Sequence, residues 1–549
     1  MPGGQTMQAS PFDTHEVGNQ PPPFAPRDLW ADDIALREAV GREGGNAFAP
    51  RLADYGALAG GELLRLADEA HRDRPRLRTH DRFGHRIDRV EFNAAYHGVM
   101  EAAIAHGVAG LSWHEPRPGA HVARAALSYL HYQAEPGSSC PLTMTHAAVP
   151  VLRHEPGLRE WAGKAIAPHY DGRDVPMAEK RGVTLGMGMT EKQGGSDVRS
   201  NTTRATPLAG EGEYALVGHK WFFSAPMSDG FLVLAQAPGG LTCFLLPRWR
   251  PDGTKNALRL MRLKDKLGDW SNASSEVEFE NAWARRIGDE GRGIATILEM
   301  VMLTRLDCML GSAGLMRMAL AQATHHARHR SAFGRKLIDQ PLMRNVLADL
   351  ALESEGATAF ALRVAGAVDR ASGDLREAAF ARIATAIGKY RICKRAPAFA
   401  NEAQECLGGN GYVEESLLPR LYRQAPLNSI WEGSGNIQCL DVLRALAKEP
   451  ETRDALIAEL QAAAGIDPAF DAALAAGEAA LSARTDQGGA RALVERLALL
   501  LQSATLLRAG NPLARDWCAS RLGGARGDGY GTLAAGIELD AAIGRVFPG

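Results

Sequence analysis

Met189-Thr-Glu-Lys-Gln-Gly-Gly-Ser-Asp197 follows directly on the β-compatible run Val183-Thr-Leu-Gly-Met-Gly-Met189. A strand that runs into a glycine-rich loop presents successive backbone N–H groups, which can cradle an anion such as a pyrophosphate. Thr190 and Ser196 add hydroxyl donors. The loop is not GxGxxG and no helix clearly follows it, so a dinucleotide fold of the Rossmann kind fits poorly. Taken alone, an ordinary β-turn would account for it.

Outward from this loop, the texture stays β. Tyr214–Val217, Phe231–Ala235, Thr242–Leu246 and Glu276–Phe279 are short strand candidates separated by Gly, Asn and Pro clusters. No helix-length periodic run interrupts Arg181 to Asn281, which predicts a compact β-domain. Before it, from Ala31 to about Lys180, apolar residues recur every three or four positions, as in Val90–Ala109 and His121–Gln133. After it, Ile294–Arg330, Pro341–Ser372 and Arg376–Cys406 are long helical runs broken where proline is tolerated, which predicts an antiparallel bundle. Beyond Lys448 the chain is Ala- and Leu-rich and helical again. Residues 1–30 are rich in Pro, Gly, Asn and Gln. The first ten read as a disordered leader, and His15–Pro23 as a stretch that could dock on the body. The expected fold is therefore α+β. Its parts are a leader (1–30), an N-terminal α-helical domain (31–180), a central β-domain (181–285), a four-helix bundle (286–447) and an additional helical domain (448–549).

The chain has 549 residues, 23% of them charged, with a net charge of −2, so no global field recruits nucleic acid or acidic substrates. The seven cysteines are scattered and form no CxxC pair, which argues against a disulfide framework and a zinc site. No apolar stretch is long enough to cross a bilayer and no secretory signal is visible. A cytoplasmic protein without a metal is expected.

Four further motifs carry chemistry. His219-Lys-Trp-Phe-Phe-Ser224 places a hydroxyl after three aromatics, which are usually core but could edge a planar ring. Arg330-Ser-Ala-Phe-Gly334, with Gln340 downstream, follows His325, His326 and His329. Arginines interleave and no carboxylate sits at ligand spacing, so a basic helix end fits better than a metal site. Glu405-Cys-Leu-Gly-Gly-Asn-Gly-Tyr412 and Asn428-Ser-Ile-Trp-Glu-Gly-Ser-Gly-Asn436 are glycine-rich. In the latter, a single Glu432 sits in an apolar setting, where burial raises a carboxyl toward the range of a general base. An exposed loop glutamate is the even alternative.

Together, in this order and spacing, MTEKQGGSD, WFFS, RSAFG, ECLGGNGY and WEGSGN resemble the acyl-CoA dehydrogenase superfamily over about Arg181 to Ala445. NQPPP near the start, PLTMTHAAVP after Cys140, the unbroken MTEKQGGSDVRSNTTRA and the long tail resemble its AidB branch, flavoproteins of the bacterial response to DNA alkylation. The resemblance implies FAD held between β-domain and bundle. Met189, Thr190 and Ser196 would lie along the flavin, and Phe222, Phe223 and Ser224 would sit against its ring. Trp431, Gly433, Ser434, Gly435 and Asn436 would close over it. Arg330, Phe333, Gln340, Gly408 and Gly409 would reach the FAD of a neighbouring subunit, which implies a homotetramer.

Glu432 matches the base that removes the α-proton of an acyl-CoA. Some relatives carry the base on a bundle helix, at the position of Thr304, which cannot act as one. Trp431 stands where many relatives have Tyr and narrows the space for an acyl chain. Glu405 stands where many have Gln contacting FAD.

The resemblance also implies non-specific binding of double-stranded DNA by the tail. From Lys448 on there are ten Lys+Arg against thirteen Asp+Glu, so any phosphate-binding face is local. Arg444, Arg521 and Arg526 are the candidates, with pairing to nearby acids as the alternative. Three functions follow: a DNA-protecting flavoprotein with weak isovaleryl-CoA-type dehydrogenase activity, a metabolic dehydrogenase of short or branched acyl-CoAs, or a DNA-coating protein with structural FAD.

Overall fold

The computed structural model describes residues 14–483 and 485–547. The first ten residues, read as a disordered leader, lie outside the described residues. The next stretch docks on the body. Asn19 and Ser331 exchange two hydrogen bonds of 2.8 and 2.7 Å, and the Pro22 carbonyl lies 2.8 Å from His325 Nε2.

The N-terminal region is helical, as expected, but carries an antiparallel hairpin, Arg76–His80 with Arg86–Glu91. Its strands are rich in arginine and lack the apolar alternation that marks a half-buried strand. Val90 belongs to this hairpin, so the helix expected from Val90 starts at Ala94. Asn93 caps it by accepting from Tyr96 N at 2.8 Å, and Gly107, with φ 92°, ends it.

Between Leu185 and Ile287 the strands form a seven-stranded sheet whose pairing closes on itself. Gly230–Ala237 pairs with Gly240–Pro247, which pairs with Ser274–Ile287. Glu213–Ser224 and Arg204–Pro207 follow, and Arg204 returns to Gln236. Closure leaves few open edges. Phe223, Phe231, Phe244 and Phe279 fill the interior. Arg204–Pro207 and Leu258–Leu263 are strands that periodicity did not reveal, being short and interrupted by charge.

The bundle is built on three long helices: Gly293–His329, Pro341–Arg370 and Leu375–Glu405. The first is buried without interruption from Leu306 to Ala321. A helix apolar on all sides belongs at the centre of a core. Gly311 permits the close approach of the Ala120–Ala134 helix, since a Cβ there would lie 2.5 Å from the Tyr132 ring. The shorter helix Gly435–Lys448 completes the bundle.

The C-terminal helices share this core rather than forming a separate one. Leu497, Leu501 and Trp517 are fully buried, and Trp517 packs where a Cβ on Gly356 would be 2.5 Å from its indole nitrogen.

Candidate functional site

Between barrel and bundle lies a cavity of about 590 Å³. The strand side contributes Met189, Thr190, Gly195, Ser196, Phe222 and Ser224. The bundle side contributes Thr304, Arg305, Cys308 and Trp431 through Ser434. The walls are mainly apolar, and Phe222, Leu267, Leu298 and Ile430 stay substantially exposed. Such a surface fits a flat, largely apolar ligand.

Glu191 holds the glycine-rich loop in place. Its buried carboxylate accepts from Lys220 Nζ at 2.8 Å, from Thr202 N at 2.7 Å and from Thr203 N at 3.1 Å. Burial alone would raise this carboxyl, but Lys220 and the hydrogen bonds outweigh it and hold it at about 2. Thr190 packs so tightly on Gly195 that a Cβ there would lie 2.3 Å from its hydroxyl.

Strand alternation corrects one expectation. Phe222 and Ser224 point to the cavity, and Phe223 between them points into the barrel, 4.2 Å from the Phe231 ring and fully buried. It is a core residue of the barrel, not a wall of the site.

Glu432 projects from a tight turn with φ 58°, followed by Gly433 at φ 94°. A left-handed glutamate costs energy, and the surrounding contacts enforce it. Lys389, buried on the Leu375–Glu405 helix, spends its three N–H donors on the carbonyls of Asn428, Trp431 and Gly433 at 3.0, 2.8 and 2.9 Å. Arg305 Nε donates to the Glu432 carbonyl at 3.1 Å, and the same guanidinium reaches Asp441 at 2.6 Å. Asn428 Oδ1 accepts from Tyr132 and from the Trp431 indole at 3.0 and 2.9 Å, which fixes the indole plane. The Glu432 carboxylate accepts from Thr304 Oγ1 at 2.7 Å. Burial pushes its pKa up, while the Thr304 hydroxyl, Lys389 and Arg305 pull it down. The group faces the cavity and is suited to accept a proton.

Lys389, Arg305 and Asn428 escape sequence reasoning. The one signal for Lys389 is a lone cation in an apolar helical stripe, Ala386-Ile-Gly-Lys-Tyr390.

Other expected site residues lie away from this cavity. Gly435 is buried at a helix start against Tyr390 and Lys394, and Asn436 is exposed, accepting from Arg491 Nε at 2.8 Å. Arg330 donates to the Asn19 carbonyl at 2.8 Å, and Gln340 to the Ala332 carbonyl at 2.8 Å. Phe333 is 97% exposed at φ 50°. Gly408 and Gly409 have nothing within 4 Å of a Cβ position. His325 and His329 bond backbone carbonyls, and among the described residues no group of three His, Cys, Asp or Glu could hold a metal ion.

Two DNA candidates are corrected. The Arg521 side chain is 1% exposed, 2.7 Å from Asp349 and 3.4 Å from Glu353, and Arg526 lies 3.2 Å from Asp349. Both neutralise carboxylates of the bundle and present no free charge to a phosphate. Arg444 remains exposed. Among the described residues, no helix is long and apolar enough to cross a membrane.

Comparison with known proteins agrees with this architecture. Residues 19–172 match the adaptive response protein AidB N-terminal domain, 186–282 the acyl-CoA dehydrogenase middle domain, and 291–447 the acyl-CoA dehydrogenase C-terminal domain. The chain is 49% identical to the putative acyl-CoA dehydrogenase AidB of Escherichia coli (strain K12), over 92% of this chain and 94% of that protein. It is 30% identical to acyl-CoA dehydrogenase family member 11 of Caenorhabditis elegans, over 76% and 69% of the two chains. The crystal structure of Caenorhabditis elegans ACDH-11 in complex with C11-CoA superposes with a TM-score of 0.83 at 25% identity, covering 99% of this chain and 95% of that one. The chain belongs to the acyl-CoA dehydrogenase family, as an AidB-type member.

Proposed function

We propose that this protein is an FAD-binding flavoprotein that associates with double-stranded DNA without sequence preference and protects it under alkylation stress. It keeps a weak dehydrogenase activity toward acyl-CoAs of the isovaleryl type. The observation that carries the catalytic part is Glu432, held in a strained turn on the cavity wall with Thr304 on its carboxylate.

The acyl-CoA dehydrogenase family is typically FAD-dependent. The residues present fit the group: an exposed Phe222 face, the Thr190 and Ser196 hydroxyls and a side-chain-free Gly195 border one apolar cavity. When bound, FAD supplies the acceptor for the β-hydrogen, which leaves as hydride. The protein's own residues do the rest. Glu432 takes the α-proton on a carboxylate oxygen, so that a carbon–carbon double bond can form. Thr304 orients that oxygen. Lys389 and Arg305 fix the turn and stabilise the carboxylate before reaction. Trp431, immobilised by Asn428, limits the width left for an acyl chain and excludes water. Arg330, Phe333, Gln340, Gly408 and Gly409, which lie off this cavity, would serve a neighbouring subunit's FAD in a homotetramer. The cell compartment proposed is the cytoplasm.

The DNA role is supported by the AidB kinship and by exposed Arg444. The second reading, a metabolic acyl-CoA dehydrogenase, is supported by the C11-CoA carried by a solved relative. The test is an anaerobic titration of the yellow protein with isovaleryl-CoA, followed by flavin absorbance, with a DNA gel shift on the same batch. DNA binding with slow bleaching is the expected result. Rapid bleaching without DNA binding would replace this reading by the metabolic one.

A further inference from the structure

A second cavity, of about 400 Å³, lies between the Arg76–Glu91 hairpin, the Ala94–His106 helix and the barrel turn at Ala225–Ser228. It is separate from the site above: its lining shares no residue with that of the larger cavity. Its character is polar. Arg74, Arg89, Asn93, Tyr96, His97 and Tyr170 line it.

The charge balance is uneven. The acids on its rim are already neutralised: Asp73 by Arg76 at 2.6 Å, Glu91 by Arg78 at 3.0 Å and Asp171 by Arg173 at 2.7 Å. Arg89 has no ion-pair partner among the described residues. Arg74 stacks on Trp270 at 3.5 Å and meets only a distant, exposed Asp265 at 3.7 Å. The cavity therefore carries uncompensated positive charge, which favours an anion.

Hydrogen-bonding capacity is also left over. His97 is oriented by Tyr170, whose hydroxyl lies 2.8 Å from Nδ1, so that its other ring nitrogen stays available. Gly172 allows this pair, because a Cβ would press on both atoms at 3.0 Å. Arg89 lies close enough to His97 to help burial lower its pKa, so the imidazole is neutral at pH 7 and can serve as donor or acceptor.

We propose that this cavity is a second small-molecule site, for a compact organic anion. Its carboxylate or phosphate group pairs with Arg89, and an oxygen or nitrogen on its body meets the free ring nitrogen of His97. The volume lies within the ordinary range for small-ligand pockets.

Isothermal titration of the flavin-loaded protein with succinate and, separately, with inorganic phosphate tests this. Saturable binding of either probe is expected, and which one binds identifies the anion class. Loss of a charge-assisted hydrogen bond should make Arg89→Gln bind about tenfold more weakly or worse. Arg82→Gln, on the same hairpin but off the cavity, should bind like the parent. The proposal is overturned if neither probe binds saturably, if Arg89→Gln leaves the affinity unchanged while flavin content is normal, or if Arg82→Gln weakens binding as much as Arg89→Gln.

Discussion

Thr304 Oγ1 stands 2.7 Å from Glu432 Oε2 and 3.0 Å from the Val301 carbonyl, with one proton to serve both. When Glu432 is ionised, the hydroxyl donates to it. When Glu432 is protonated, the acid can donate to Thr304, which turns its own proton to Val301. The threonine thus satisfies both protonation states of Glu432.

The pH dependence follows from this pair. Glu432 works as a base only when ionised, so flavin reduction by acyl-CoA should rise with pH through its pKa. Thr304→Val removes a hydrogen bond that favours the carboxylate. The rising limb should then move to higher pH by about one unit, equivalent to ~1.4 kcal/mol. Stopped-flow reduction rates between pH 5 and pH 9 check it, and an unmoved or lowered limb would refute the assignment.

Glu432→Gln keeps the shape of the turn but has no proton acceptor. Reduction of the flavin by isovaleryl-CoA should fall by about 10²–10⁴-fold, with flavin content unchanged. Retained reduction would place the base elsewhere.

Lys389→Met should loosen the turn that carries Glu432. The Asn428 and Trp431 carbonyls would lose their donor and the Gly433 carbonyl would keep only Gln438 Nε2, at a net cost of roughly 1 kcal/mol for each hydrogen bond lost. Chemical denaturation should show a loss of about 3 kcal/mol, and the purified variant should be depleted in flavin. A variant of parental stability with full flavin would mean that those carbonyls find other partners.

Arg521→Gln and Arg444→Gln should separate fold from DNA contact. Arg521→Gln removes one cation from the buried cluster in which Asp349 keeps Arg526 and Glu353 keeps Arg391 and Arg395, with an expected loss of about 1.5–3 kcal/mol in stability. The DNA affinity of its folded fraction should stay unchanged. Arg444→Gln should leave stability intact, weaken DNA binding for every sequence and reduce the slope of log affinity against log salt by about one. The opposite pattern in gel shifts at several salt concentrations would return Arg521 to the DNA surface.

Much of the fold could be read in advance, because periodicity reports element type. The three long bundle helices carry apolar residues every three or four positions, and the better barrel strands show short β-branched or aromatic runs. The Arg76–Glu91 hairpin was invisible because its residues are largely polar and it is held by backbone pairing and by the barrel beneath it. Glycine-rich loops and WEGSGN marked the cavity because flat ligands need close backbone approach, a requirement that glycine displays in any sequence.

Contacts between distant positions were not readable. Phe222 and Phe223 look alike in a string of letters, and only the register of Glu213–Ser224 decides which one faces the barrel interior. Arg521 looks like a surface cation until helix packing brings Asp349 to it across 172 positions of the chain. Lys389 and Thr304 gain their roles because two bundle helices converge on the 428–433 turn. The sequence by itself determined the type and order of the longer elements and the family motifs, since these depend on local spacing. Tertiary structure alone decided which charges are spent in the core, which aromatic faces the cavity and what holds Glu432, since those depend on distances that no local pattern encodes.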